Sequence, residues 1–457
     1  MEVACREQAT ALPVQELTTK IIELAVLNDY SDGCTLRMEC LEDAYHEVCS
    51  VFTKLCPRLV PSPLWSISLA RLARVDPEVI CGVAYGNSNN DYVAIINEFR
   101  EWWFSLPRDQ CKVCGSQASE VDEDWRYCIE DDTGIAVLER LVPLCEKCHL
   151  AKHLGYATIH GKGREALEHL AHINGVDIEV AKRAARRAFK VHTALSRIEK
   201  WRTVLKGLTE LPKDVMEVIE NILNFMASNG YSFDGHWFWY HARRERKELL
   251  ERKALEESEE FLRRALGIHD KPLNEVVNAV RKDSLVRLAV VRELEEMLGR
   301  YGIKVLQRET EIALRGVKVI NTTSKPGKSR QILSIFTTSG KWIVFVPSKL
   351  RGIVLRRVID KLRKRDLDYI AKTVGVEESD RDEQPVIIYV PSFLAVTIVG
   401  GVAEIMLEAI DEFKIDKLVM FKPDTFTYAG IYSNTVRGMK SYIYMTSQRL
   451  RPSAIAS

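Results

Sequence analysis

The sequence has almost no net charge, with 65 Lys and Arg against 64 Asp and Glu and a formal net charge of +1. A protein that binds nucleic acid or an acidic membrane with its whole surface needs a large cationic excess. The composition therefore excludes that class. Any contact with nucleic acid must come from a local basic patch.

The sequence also lacks an internal repeat, a low-complexity tract and a glycine-rich phosphate loop. The stretch TTSKPGKSR has Thr322 where such a loop requires glycine, and its Pro326 removes a backbone amide. No Ser-His-Asp or Cys-His nucleophile arrangement is recognisable. Nucleotide hydrolysis on a phosphate loop and covalent triad chemistry are therefore not expected.

No basic segment followed by an apolar stretch occurs at the start, so an export signal is not expected. The apolar run 386–407 is long enough to span a membrane, but it contains Pro391, Gly400 and Glu404. It therefore predicts a buried strand, a turn and a helix. We expect a cytoplasmic protein, with no membrane partner and with cysteines in the reduced state.

Periodicity along the chain predicts a multidomain α+β protein. Segments such as LTTKIIELAVL and LEDAYHEVCSVFTKL indicate helices near the start, whereas GVKVI, KWIVFVP and VIIYV indicate strands near the end. The predicted regions are a helical N-terminal region (1–107), a cysteine- and histidine-rich module (108–208), a helical spacer (209–309) and an α+β domain (310–457). The spacer is either a simple connection or a docking surface for a protein partner.

The cysteines predict a structural zinc site. Cys111 and Cys114 form one Cys-x-x-Cys pair, and Cys145 and Cys148 form another. Each pair can present two sulfurs from one tight turn, and four thiolates complete a closed tetrahedral site for Zn²⁺. Cys128 has no partner at this spacing and is not expected to bind the ion.

The order CKVCG, VDEDWRY and LCEKCHLAKHLG resembles the zinc-stabilised HNH (ββα-metal) endonuclease domains. The resemblance covers about 108–208 and implies phosphodiester hydrolysis assisted by a second ion, Mg²⁺ or Mn²⁺. It implies His149 as a ligand and Glu123 as a second one, and places Asp122 at the usual position of the general base. His153 lies four residues beyond His149, where it can join them on one helix face.

Asp122 stands where the family has histidine, and an unperturbed aspartate is a weak base. Three interpretations therefore stay open for this module. It is an active nuclease, an inactive scaffold that only binds nucleic acid, or a purely structural zinc element.

A cationic stripe follows the cysteines. Four basic residues at helical spacing i, i+3, i+4 and i+7 predict one continuous face: Arg183, Arg186, Arg187 and Lys190. Such a stripe can contact phosphates in a salt-dependent manner. The alternative is an ordinary solvated helix face.

The C-terminal stretches SGKWIVFVPSK and FKPDTFTYAGIYSNTVRGMKSYIY resemble the uncharacterised family typified by the basophilic-leukaemia-expressed protein. The resemblance covers about 315–450 and implies a fold like that of translation initiation factor 4E, a curved antiparallel sheet backed by helices. Cap binding, which needs two tryptophans around a base, is not expected, because only Trp342 follows residue 239. Four residues either line a polar groove or stabilise strand ends: Asp424, Tyr428, Tyr432 and Arg437.

Together these features predict a zinc-containing protein that binds DNA or RNA through the HNH-like module, with metal-dependent endonuclease activity as an open question. The alternative is a non-catalytic docking protein associated with RNA or the translation machinery.

Overall fold

A computed structural model describes residues 52–65, 67–87, 89–130, 133–208, 210–325, 328–377, 381–432, 435, 436 and 438–450. The predicted helix LTTKIIELAVL, almost all of LEDAYHEVCSVFTKL, and Arg437 lie outside these residues. The described chain is a mixture of helices and strands, with a sheet-rich C-terminal region, as predicted.

The helices, in chain order, are α1 (Leu69–Leu72), α2 (Pro77–Tyr85), α3 (Asn90–Ser105), α4 (Glu146–Lys152), α5 (Leu154–Ile159), α6 (Gly163–Asn174), α7 (Ile178–Leu195), α8 (Lys213–Asn229), α9 (Arg244–Leu266), α10 (Leu273–Lys282), α11 (Ser284–Gly299), α12 (Gln307–Arg315), α13 (Ile335–Thr338), α14 (Arg351–Lys364), α15 (Val396–Asp411) and α16 (Asp424–Tyr428). The strands are β1 (Glu120–Glu130), β2 (Thr133–Leu144), β3 (Lys200–Val204), β4 (Tyr231–Asp234), β5 (Trp237–His241), β6 (Lys304–Val305), β7 (Val319–Lys325), β8 (Lys328–Leu333), β9 (Gly340–Pro347), β10 (Ile370–Val374), β11 (Glu383–Val390), β12 (Val419–Pro423) and β13 (Tyr444–Thr446).

The chain divides into two compact units. The first unit contains the residues up to Val75 together with Asn90–Asp234, and the second contains Asp76–Asn89 together with the residues from Gly235 onward. These boundaries differ from those drawn from the sequence at 107/108, 208/209 and 309/310.

The first unit is organised around a β-β-α core. Strands β1 and β2 pair antiparallel, β3 adds to β2 in parallel, and α4 begins directly after β2. A Cβ at Gly134 would lie 2.6 Å from the ring of Trp201, its partner on β3. The close approach of these two strands therefore requires glycine at this position.

The segment that precedes α1 packs on the part of the first unit that contains the paired cysteines. The Asn174 side chain, at the end of α6, accepts hydrogen bonds from the amides of Lys54 and Leu55 and donates one to the Leu55 carbonyl. The Arg58 side chain donates to Asp124 on β1. This segment thus belongs with the module, which explains why the first unit extends beyond the predicted 108–208.

The second unit is built on a mainly antiparallel sheet, in which the strands follow the order β5-β10-β11-β9-β12-β13-β6. Helices α14 and α15 cover one face. Trp342 on β9 is fully buried there and donates from its indole nitrogen to the Val399 carbonyl of α15, at 3.1 Å. The predicted strands KWIVFVP and VIIYV are confirmed as parts of β9 and β11, whereas only the last two residues of GVKVI, Val319 and Ile320, belong to a strand, β7.

Two expectations need correction. The spacer at 209–309 was predicted to be helical, but YSFDGHWFWYH within it forms β4 and β5 on either side of Gly235. These strands are rich in aromatic residues and flank an Asp-Gly pair, which is a strand and turn signal and not a helical one. Cys56, expected to be a free thiol, is disulfide-bonded.

The run 386–407 forms the end of β11, a turn and the first part of α15, as predicted. Among the described residues, no helix has the length and apolar character needed to cross a bilayer.

Candidate metal centres

The four predicted zinc ligands come together in the first unit. Their sulfur atoms all lie within 4.8 Å of one another, and the Cys114 and Cys145 sulfurs are 3.6 Å apart. Sulfurs bound at about 2.3 Å to a tetrahedral ion lie about 3.8 Å from each other. The cluster therefore has the dimensions of a four-cysteine metal site and can hold a structural metal such as zinc.

Local backbone geometry positions these sulfurs. The first pair sits in a tight turn, in which the Gly115 amide donates to the Cys111 carbonyl and Gly115 has φ of +77°. In the second pair, Cys145 is the N-cap of α4 and Cys148 lies in its first turn. The first cysteine pair thus lies in a turn that requires a glycine with positive φ, and the second pair lies at the N-terminus of α4. The two pairs face each other across the position that an ion would occupy.

The surroundings of the thiols suit a bound cation. Burial acts to raise the pKa of Cys114, but hydrogen bonds from Ser116 outweigh it and lower this pKa to about 6. Burial raises the pKa of Cys148 well above its usual range, so this thiol needs a cation to ionise. The His169 Nε2 atom lies 3.3 Å from the Cys148 sulfur and can hydrogen-bond to it from outside the sphere.

A second cluster consists of one residue of β1, one of α4 and the residue that follows α4. Asp122, His149 and His153 each offer one ligand atom, and these three atoms all lie within 4.8 Å of one another. The Asp122 Oδ1 atom is 2.9 Å from His153 Nε2 and 3.7 Å from His149 Nε2. Ligands at about 2.1 Å from one ion are about 3.0 Å apart in an octahedron and about 3.4 Å apart in a tetrahedron. These spacings fit a divalent cation.

Glu120 orients one of these histidines. The Glu120 Oε1 atom is 2.8 Å from His149 Nδ1, which leaves Nε2 directed at Asp122. Metal-binding histidines commonly donate their other ring nitrogen to a carboxylate in this way. Sequence reasoning missed Glu120, although it precedes Asp122 by two residues and so projects from the same face of a strand.

Lys152 is the cation that Asp122 contacts in this structure. The Lys152 Nζ atom lies 2.5 Å from Asp122 Oδ2, and it donates to the Glu123 carbonyl oxygen. Burial opposes ionisation of Asp122, but Lys152 and the two histidines outweigh it and hold its pKa well below its usual range. Asp122 is therefore ionised and presents Oδ1 to the histidines.

The surroundings of the two histidines shift their pKa values in opposite directions. Burial acts to lower the pKa of His149, but Glu120 and Asp122 outweigh burial and raise it. For His153 burial dominates, and its pKa is lowered despite Asp122. The surroundings of His153 therefore favour its neutral form, whereas those of His149 favour the charged form.

Glu123 does not join this cluster, contrary to the prediction. Neighbouring residues of a strand point to opposite faces, so Glu123 projects away from Asp122. Its carboxylate accepts hydrogen bonds from the Ala70 amide of α1 and the Trp125 indole. Burial raises the pKa of Glu123 to about 7. Its contacts are those of a residue that anchors α1 to β1.

A cleft of about 960 Å³ opens over the second cluster. Its wall includes Glu120, Asp122, His149 and His153 together with residues of the segment before β1, such as Arg74. The cluster is thus reachable by a ligand from solvent. The four cysteines of the first cluster are not among the residues that line this cleft.

The cationic stripe of α7 is exposed but does not face the cleft. Arg183, Arg186 and Arg187 are exposed, and Lys190 is half-buried. Of these four side chains none makes an ion pair with another described residue. Phe189 and His192 are the α7 residues that line the cleft. At about 100° per residue, His192 points away from the stripe.

The predicted C-terminal groove residues are only partly assembled. Asp424 is nearly buried and accepts hydrogen bonds from Ser339 and Lys341. Tyr428 is exposed and stacks on Phe336, whereas Tyr432 is exposed and covers the Lys422 ammonium. Arg437 lies outside the described residues.

No protein-family model matches this sequence, and no curated protein matches it. The structure supports a zinc module through its four cysteines, whereas the HNH-like and initiation-factor-4E-like identities stay predictions.

Proposed function

We propose that this protein binds nucleic acid through its first unit and hydrolyses phosphodiester bonds there with a second divalent ion. The observation that carries the proposal is the convergence of Asp122, His149 and His153 at the cleft, with His149 held by Glu120. A sphere of four thiolates is closed and leaves no position for a substrate. Chemistry therefore needs the second cluster.

The residues of the cluster have distinct roles in this proposal. A divalent ion at this position would neutralise charge on the scissile phosphate and activate water. Asp122 and His149 would hold that ion, since one is ionised and the other is oriented by a carboxylate. His153 would either complete the ligand set or accept the proton of the attacking water.

Substrate affinity in this proposal comes from cations outside the cluster. Arg74 is exposed on the cleft wall, and the α7 stripe presents further cationic groups that have no ion-pair partner among the described residues. A polyanion longer than the cleft could contact both. We expect this affinity to depend strongly on salt and weakly on sequence.

One observation favours a binding-only scaffold as the second candidate. Lys152 already compensates Asp122 at 2.5 Å, so the cluster is electrostatically satisfied without an added ion. In that case the cleft would hold nucleic acid without cutting it. A metal-dependent cleavage assay separates the two candidates.

The test uses the full-length protein with its zinc content measured first. Single- and double-stranded DNA and RNA are incubated with Mg²⁺ or Mn²⁺, and His149→Ala is compared with the parent and with His172→Ala. His172 is an exposed histidine of α6 outside the cluster, so it controls for loss of a surface imidazole. We expect His149→Ala to lose about a hundredfold in rate or more, and His172→Ala to cut normally.

The outcomes are distinct. Equal cutting by His149→Ala and the parent would refute the proposed centre. Salt-dependent binding without cutting by any variant selects the binding-only scaffold. When Arg186 and Arg187 are changed to Gln, the plot of log affinity against log salt concentration should then become shallower. Its slope should decrease in magnitude by about 0.9 for each lost contact with double-stranded DNA. An absence of binding at low salt would reject both candidates.

A further inference from the structure

Three lysines converge on the face of the second unit's sheet opposite α14 and α15. Lys341 on β9 lies directly across from Tyr389 on β11 and from Lys422 on β12. Lys372 on β10 pairs with Trp239 on β5. Side chains that face each other across neighbouring strands project from the same face of a sheet. The register thus brings three ammonium groups to one side.

Contacts with one aromatic ring show how near two of these groups are. Lys341 Nζ lies 5.2 Å from the centre of the Tyr389 ring, and Lys372 Nζ lies 5.9 Å from the same centre. Lys341 also interacts electrostatically with Lys372 and with Lys422. The three lysines therefore form one cluster, which we call the lysine cluster.

The lysine cluster has far more positive than negative charge. Asp424 pairs with Lys341 at 2.7 Å. Lys422, which is 7% exposed, donates to the Ile431 carbonyl, and Lys372 contacts only aromatic faces within the described chain. Three ammonium groups thus share one carboxylate. Charges removed from water require a counter-charge, because a cation–π contact or a single carbonyl replaces little of the lost hydration.

Aromatic surface surrounds the lysine cluster. Lys372 lies over the rings of Trp237 and Trp239, at 3.9 Å and 4.4 Å. Phe336 and Tyr428 stack with ring centres 4.8 Å apart and are 61% and 66% exposed. Tyr428 follows Asp424 within α16 and interacts electrostatically with Tyr389. An exposed stacking surface thus adjoins the cationic one.

We propose that the lysine cluster binds the phosphate of a ligand whose planar ring stacks on the neighbouring aromatic side chains. This is the chemistry of a nucleoside phosphate, either free or as part of a single strand of nucleic acid. Cationic groups beside exposed aromatic faces are the combination that recognises both parts of such a ligand. The site belongs to the second unit and does not depend on the metal clusters of the first.

The lowered basicity of two lysines agrees with this site. Burial, followed by repulsion from Lys341, lowers the pKa of Lys372 and the pKa of Lys422 to about 8. Both remain charged at neutral pH, at a cost that a bound phosphate would offset.

The test is calorimetric titration of the full-length protein with three probes: inorganic phosphate, adenosine monophosphate and a short single-stranded oligonucleotide. Lys372→Met keeps the apolar stem and removes the charge. Lys372→Arg keeps the charge, and Lys364→Met is a matched control at an exposed lysine of α14. We expect Lys372→Met to weaken binding by about tenfold, whereas Lys372→Arg and Lys364→Met bind as the parent does.

The probes separate the two sources of phosphate. Tighter binding of the monophosphate than of inorganic phosphate, with only the former weakened by Tyr428→Ala, supports a free nucleotide. Binding of the oligonucleotide alone, weakened by Lys372→Met, supports a nucleic-acid strand. The inference is overturned if no probe binds, or if Lys372→Met binds as tightly as the parent. The Lys372→Met effect on inorganic phosphate and adenosine monophosphate should appear equally in the His149→Ala background, so failure of the nuclease proposal leaves this one standing.

Discussion

Replacing Lys152 by methionine tests the second metal cluster directly. The side chains of Lys152 and Asp122 are both 7% exposed, and their charged atoms are 2.5 Å apart. At an effective dielectric constant of about 20, this attraction amounts to about 7 kcal/mol before the cost of desolvation. Removing one partner of a buried pair leaves the other uncompensated and destabilises a protein by about 3–5 kcal/mol.

We therefore expect Lys152→Met to lower the free energy of unfolding of the zinc-loaded protein by about 3 kcal/mol. The cost falls at the low end of that range because His149, whose pKa is raised, supplies part of the missing positive charge. Lys147→Met is the matched control, since Lys147 is an exposed lysine of the same helix. Its effect should stay within about 0.5 kcal/mol.

Adding Mn²⁺ to the Lys152→Met protein should reverse the loss. A cation bound by Asp122, His149 and His153 replaces the missing ammonium, and at a hundredfold excess over its dissociation constant it contributes about 2.7 kcal/mol. The parent should gain less, because its Asp122 is already paired. Denaturant unfolding with and without Mn²⁺ measures both effects. A variant that is destabilised but gains nothing from Mn²⁺ would show that the cluster is not a cation site.

Three further predictions concern other parts of the molecule. Cys148→Ser should abolish zinc binding and unfold the surrounding segment, because a structural zinc contributes about 10–16 kcal/mol; Cys128→Ser, also at a buried cysteine, should keep the full zinc content by elemental assay. Gly134→Ala should destabilise the protein by about 1–3 kcal/mol in thermal unfolding, because its Cβ would meet the Trp201 ring at 2.6 Å, whereas Gly299→Ala meets no atom within 4 Å. Phosphate affinity at the lysine cluster should fall as pH rises through about 8, because Lys372 loses its charge there. The free energy of unfolding without ligand should rise between that pH and the usual pKa of lysine, 10.5, because the unfolded chain then binds more protons than the folded one. A phosphate affinity that does not change with pH across this range would contradict the assignment.

The four-cysteine cluster was predictable because the signal is local. Two residues between cysteines let one turn present both sulfurs, and this holds wherever the turn lies in the fold. The strands of the second unit were predictable for a similar reason, since alternation of apolar residues marks a half-buried strand. The pairing of Asp122 with His149 and His153 was suggested by motif order, and the structure places these three side chains together.

Other features depend on information that motif order does not carry. Glu123 was grouped with Asp122 because they are adjacent, yet the two-residue period of a strand sends them to opposite faces. Strands β4 and β5 were hidden because long helical patterns flank them, although Asp234-Gly235 between aromatic residues was a readable turn signal. Lys341, Lys372 and Lys422 meet only through strand register, which separate stretches of sequence do not specify.

The contacts of Asn174 have a practical consequence for anyone who wishes to isolate the part of the chain that contains the four-cysteine cluster. A fragment that begins just before Cys111 would lack Lys54, Leu55 and Arg58, and would also lack α1. The Asn174 amide and the Glu123 carboxylate would then lose the backbone groups that satisfy them, and the apolar side chains that pack on Leu55 would be exposed to water. Such a fragment should express poorly or aggregate even with zinc supplied, and a fragment that starts before residue 52 is the better choice for crystallisation.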